Sequence, residues 1–67
     1  MHQAVIYDLH GATYKFCSSD FRWCYKSAIS YVKDVLRRYP EYYMITVHLG
    51  IYHIDVYRGF YDIWRVE

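Results

Sequence analysis

Two histidines and two aspartates lie close together in the last third of the chain. They are His48, His53, Asp55 and Asp62, within YYMITVHLGIYHIDVYRGFYDIWRVE. Imidazole and carboxylate are the groups that bind zinc and other divalent metals, and they also carry protons in acid–base catalysis. Their spacing matches no strong metal-binding pattern. Whether they meet depends on the backbone that carries them.

That stretch reads as three strands. Gly50-Ile51 suits a type II′ turn, and Arg58-Gly59 a weaker two-residue turn. With both turns in place the cross-strand rows follow. One face carries Leu49–Tyr52–Arg65, Val47–Ile54–Ile63 and Ile45–Val56–Tyr61; the other carries His48–His53–Trp64, Thr46–Asp55–Asp62 and Met44–Tyr57–Phe60. A slip of one residue in either hairpin would set Asp or His among aliphatic positions, so this register is favoured. The four candidate ligands then occupy adjacent rows, with cross-strand Cβ atoms roughly 4.5–5.5 Å apart. Asp55 opposite Asp62 calls for a proton, an Arg or a cation. The plainer expectation is a solvated sheet face with no metal or other cofactor, and the metal site stands as the alternative.

Met44, Tyr57, Phe60 and Trp64 share that polar face. Large apolar side chains rimmed by charge mark a protein-contact patch. These four residues are the first candidate contact surface.

The elements that position this face can be read from the rest of the chain. QAVIYDLHGATYKFC alternates about Gly11-Ala12, which suits a second type II′ hairpin. That register sets His10 opposite Thr13, Leu9 opposite Tyr14, Asp8 opposite Lys15 and Tyr7 opposite Phe16. It gathers Val5, Tyr7, Leu9, Tyr14 and Phe16 on one face. Ser18-Ser19-Asp20 offers helix caps, and Pro40 ends the helix, predicted over 20–39. Phe21, Cys24, Ala28, Tyr31, Val32, Val35 and Tyr39 form the expected buried stripe, widened by Tyr25, Ile29 and Leu36. Arg22, Lys26, Lys33 and Arg37 fall together on another side. This basic stripe is the second candidate contact surface.

The architecture that follows is ββαβββ: a two-layer α+β domain over 1–67, with an antiparallel sheet of up to five strands and one helix on its aliphatic face. Strand order is not legible in the sequence.

Composition sets limits. Sixty-seven residues make one small domain with a thin stability margin. Ten Tyr, two Trp and three Phe are more aromatic bulk than one small core hides. A net charge of +1 excludes an acidic nucleic-acid mimic and argues against binding nucleic acid by charge alone. The charge is uneven: residues 1–40 carry +3 and residues 41–67 carry −2. No membrane-spanning run and no signal-peptide pattern is present, which predicts an intracellular (cytoplasmic) protein with Cys17 and Cys24 as reduced thiols. The two cysteines are seven positions apart and match no redox motif. One helix layer on a sheet leaves little concave volume, so no catalysis and no small-molecule substrate are expected.

The functional expectation is a small protein-binding module that occupies and inhibits a partner surface. Size and style resemble small virus- or mobile-element-encoded inhibitors of host defence proteins, whose setting is the host cytoplasm. Self-association as a homodimer is the near competitor, through the aromatic face or the sheet edges. Nucleic-acid binding through the basic helix stripe is the second choice of partner.

Overall fold

The computed structural model of the protein describes residues 1–8, 11 and 13–66. Five strands and one helix follow one another as β1 (His2–Tyr7), β2 (Thr13–Ser18), α1 (Phe21–Arg38), β3 (Ile45–Leu49), β4 (Tyr52–Val56) and β5 (Tyr61–Arg65). The strands form one antiparallel sheet in the order β2-β1-β3-β4-β5. The ββαβββ, two-layer α+β architecture is therefore the one expected. The order places β1 in the interior: β2 pairs with it on one side, and α1 carries the chain over to β3 on the other.

The helix starts where its cap is supplied. Asp20 is extended, and its carboxylate accepts from the N–H groups of Arg22 at 2.9 Å and Trp23 at 3.3 Å. Two orphan donors of the first turn are thereby satisfied. At the other end Tyr39 is extended, as a residue before proline must be. The last carbonyls find a partner far away in sequence. Arg58, in the β4–β5 turn, donates Nε–H to Leu36 O at 3.0 Å and an Nη–H to Tyr39 O at 3.2 Å. A cation there also complements the negative end of the helix dipole.

The β3–β4–β5 meander has the predicted register, pair for pair from Leu49–Tyr52 through Val56–Tyr61. Gly50 takes φ 60°, the positive value a type II′ turn needs at its first central residue.

The first hairpin differs from expectation. Tyr7 pairs with Thr13, Ile6 with Tyr14, Val5 with Lys15 and Ala4 with Phe16. The strands are thus offset by three residues from the register of a two-residue Gly11-Ala12 turn, with Tyr7 and Thr13 as the last pair. Gly11 still has positive φ, and its N–H donates to Asp8 O at 3.2 Å. Leu9, His10 and Ala12 lie outside the described residues, so the pairs expected for Leu9 and His10 do too. The offset reverses the faces of β1. Ala4 and Ile6 go under the helix with Tyr14 and Phe16 beside them, while Val5, Tyr7 and Lys15 go to the other side. An interior strand under a helix has room for small and medium side chains, which Ala4 and Ile6 supply and Tyr7 does not.

The core is built from Ala4, Ile6, Ile45, Val47, Leu49, Ile54 and Val56 of the sheet, with Cys24, Ala28, Ile29, Val32 and Leu36 of α1. The helix is rotated from the predicted stripe. Ile29 and Leu36 are buried, whereas Phe21, Tyr31 and Tyr39 are exposed and Val35 is half-buried. The displaced aromatics line the margins instead: Tyr14 stacks on Tyr31 at 4.8 Å, and Phe16 meets Trp23 and Tyr31 edge-on. Cys24 is in the core and Cys17 is exposed on the far side of the sheet; both are free thiols.

α1 packs on β1, β2, β3 and β4. It reaches β5 through side chains at Tyr61, whose hydroxyl lies 2.6 Å from that of Tyr25 and whose ring lies under Lys33. Burial pushes the Tyr25 hydroxyl up to about 12, and the Tyr61 hydrogen bond and charge add to the rise. Burial likewise raises Tyr42 and Tyr57, the latter further through Asp55 and Asp62. A phenol with a raised folded-state pKa binds its proton more tightly folded than unfolded. Its contribution is complete below the unfolded value of about 10 and is lost as pH rises toward about 12. Denaturant midpoints are therefore expected to fall between about pH 9.5 and about pH 12, and Tyr25→Phe is expected to flatten that fall. Urea titrations of both proteins across that range measure it.

Candidate protein-contact face

Alternation along each strand sends every second side chain away from α1, and no element of the described chain covers that side of the sheet. Two rows cross all five strands there. One runs Lys15–Val5–His48–His53–Trp64, the other Thr13–Tyr7–Thr46–Asp55–Asp62. The portions on β3 to β5 are the predicted ones. The portions on β1 and β2 follow from the corrected register of the first hairpin, and so were not anticipated.

Rings link the rows into a band. Tyr7 meets His48 edge-on at 5.2 Å, His48 meets His53 at 4.7 Å, and His53 stacks on Trp64 at 4.5 Å with planes 23° apart. The band spans β1, β3, β4 and β5. Stacked and edge-on rings of this kind contribute about 0.5–1.5 kcal/mol beyond their buried area. They therefore hold one another in fixed orientations on an otherwise open face.

The polar groups serve the same end. Asp55 Oδ1 accepts from Thr46 Oγ1 at 2.9 Å and lies 2.9 Å from His53 Nε2. Asp55 and His53 side chains retain only 16% and 23% of their exposure, so the contact is partly shielded from solvent. The arrangement locks the imidazole flat under Trp64. Asp62 pairs with Asp55 in register and is exposed. Of the metal candidates, His48, His53, Asp55 and Asp62 do occupy adjacent rows. Among the described residues, however, no three His, Cys, Asp or Glu side chains converge on a point that would hold an ion. His53 is turned toward Asp55 and Trp64, and it meets His48 ring edge to ring face.

At the β4–β5 turn end, Tyr57 and Phe60 stack at 4.6 Å with planes 14° apart, and Tyr43 meets Tyr57 edge-on at 5.7 Å. Met44 beside them is half-buried. Phe60 is 59% exposed, Trp64 46% and Tyr43 76%. Tyr43 precedes β3, outside the strand alternation, and so escaped the sequence rows.

The basic stripe lies on the helix, away from this face. Arg22, Lys26, Lys33 and Arg37 are all exposed. Arg37 pairs with Asp34, as does Arg38 at 3.1 Å. Lys33 reaches toward the Tyr61 ring, 5.9 Å from its centroid. Lys33 and Arg37 join Arg58, Leu36, Phe60 and Tyr61 around an open groove of about 690 Å3. Phe60 thus stands at the corner where the two candidate surfaces meet. Arg58 was missed, because a turn arginine that reaches back to a helix end leaves no local signature.

No family model, curated protein or solved structure matches this chain. No helix of the described residues is long and apolar enough to cross a membrane.

Proposed function

We propose that this domain is a protein-binding module that works by occupying the surface of a partner, with the uncovered sheet face as its contact surface. The observation that supports this reading is the ring band Tyr7–His48–His53–Trp64, which ends in an exposed tryptophan on the same face as the Tyr57–Phe60 stack, whose Phe60 is exposed. Pre-ordered aromatic side chains lose little freedom on binding, and Trp and Tyr are the residues that carry most interface energy. Asp62 on the same face favours a partner that sets a Lys or Arg among its apolar groups. Blocking such a surface would make the domain an inhibitor by steric exclusion, and a host defence protein is one target class consistent with its size.

The test begins with capture from a cell lysate and mass spectrometry, followed by titration of the purified partner. Trp64→Ala combined with Tyr57→Ala is expected to weaken binding by at least about 2 kcal/mol, roughly thirtyfold, with the fold retained. Unchanged affinity in that double variant would sink the sheet-face reading.

A second reading has one observation in its favour, the Lys33–Arg37–Arg58 groove with its aromatic wall. It makes the partner a nucleic acid and predicts oligonucleotide binding that falls steeply with salt. Lack of retention on heparin and on oligonucleotides at low salt removes it.

A further inference from the structure

β5 is an edge strand with an open backbone row. Tyr57 N–H donates to Phe60 O at 2.9 Å, and Val66 N–H to Ile51 O at 2.6 Å. These pairs flank the β4–β5 ladder and share its register. Pairs that exchange hydrogen bonds alternate with pairs that do not in an antiparallel ladder. Asp62 and Trp64 therefore direct their N–H and C=O groups at β4. Tyr61, Ile63 and Arg65 direct theirs outward, away from the sheet.

The side chains of those three residues lie on the helix side, beyond the strands that α1 covers. Ile63 is 46% exposed there, although its cross-strand partner Ile54 is fully buried. Monomeric proteins usually blunt such an edge with proline, lysine, a bulge or a covering segment. β5 contains neither proline nor lysine, and it pairs with β4 one residue for one.

We infer that this edge receives a second copy of the chain: β5 pairs antiparallel with β5 of another protomer, about a two-fold axis through Ile63. Outward-facing backbone groups must meet outward-facing ones, which limits the register. Centring on Ile63 sets Ile63 against its own counterpart, Tyr61 opposite Arg65 of the partner subunit, and Asp62 opposite Trp64 of the partner subunit. All three outward residues then find partners. Centring on Asp62 would oppose two carboxylates, and centring on Trp64 would use only Ile63 and Arg65 among the described outward residues. The Ile63 register puts no charge directly opposite its like, buries the exposed isoleucines against each other and lays a guanidinium by the Tyr61 ring. Each copy contributes five strands to one continuous sheet, with both helices on the same side. This pairing is independent of the partner-binding reading, because Ile63 points to the opposite side from Trp64. Five residues on each side bury less than the roughly 1,200–2,000 Å2 of stable complexes, so the dimer is reversible and concentration-dependent.

Sedimentation equilibrium from about 10 μM to about 1 mM is expected to show a monomer–dimer equilibrium, and Ile63→Lys to weaken it at least about tenfold with an unchanged circular dichroism spectrum. Cross-linking tests the register. Hydrogen-bonded residues directly opposite have Cα atoms about 5.5 Å apart, within disulfide range. In a Cys17→Ser background, Ile63→Cys is expected to form a disulfide-linked dimer on mild oxidation, and Asp62→Cys is not. Three results each overturn the proposal: a monomer throughout the range, a dimer that persists in Ile63→Lys, or Asp62→Cys linking as readily as Ile63→Cys.

Discussion

Ile54→Ala is expected to destabilise the domain by about 2–5 kcal/mol, the range for emptying a fully buried aliphatic site. A 67-residue chain has a total stability of about 3–10 kcal/mol, so the variant forfeits a large share of it. Ile63→Ala, one strand away in the same row, is expected to cost about 1 kcal/mol or less in the monomer. The two isoleucines face the same side and are directly paired. They differ in what lies above them: α1 seals Ile54 completely and leaves Ile63 open to solvent. Chemical denaturation of both variants at low protein concentration makes the comparison. Equal losses would mean that β5 is covered in solution.

The second large effect is expected at Arg58. Its guanidinium bonds two carbonyls at the end of α1, and so joins the β4–β5 turn to the helix. Hydrogen bonds to a charged group contribute about 1.5–3 kcal/mol, and the Leu36 bond is partly buried. Arg58→Ala should lose about 2 kcal/mol, and Arg58→Glu more, since it sets a carboxylate against carbonyl oxygens at the negative end of the helix dipole. Arg58→Lys should recover only part, because an ammonium cannot reproduce the planar fork that spans Leu36 O and Tyr39 O. Hydrogen exchange is the direct readout, with amides near the helix C-terminus and the β4–β5 turn losing protection together. Loss confined to the turn would show that the tie carries no energy.

The parts of this fold that were legible in sequence have a common cause. From Ile45 to Ile63 the aliphatic residues of the strands keep to one face and His48, His53, Asp55 and Asp62 to the other, and Gly50 fixes the first turn. Any slip would bury Asp55 or His53, so one register survives. Asp20 and Pro40 fix the helix ends through backbone chemistry that neighbours do not override. The first hairpin lacked such discrimination. In β1 both parities are apolar, Ala4 and Ile6 on one side and Val5 and Tyr7 on the other, so the pattern alone does not choose. The choice comes from β1 lying between β2 and β3 beneath the helix, a long-range fact with no local trace. The helix face was legible only in part for a related reason. Apolar residues occupy more than half its circumference, and the rotation toward Ile29 and Leu36 is set by the sheet beneath. For the candidate face, the rows on β3 to β5 could be written in advance. The contributions of Tyr7 and Tyr43, and the reach of Arg58 to the helix, depended on placements that only the assembled sheet decides.

The interior position of β1 has a practical consequence. Chain termini are ordinarily the places where trimming and tagging are best tolerated, because they sit at the periphery. Here His2 already belongs to a strand flanked on both sides. A protease that clipped residues 1–7 would remove an interior strand, separating β2 from the β3–β4–β5 meander. For handling this protein, β1 is the segment to leave intact.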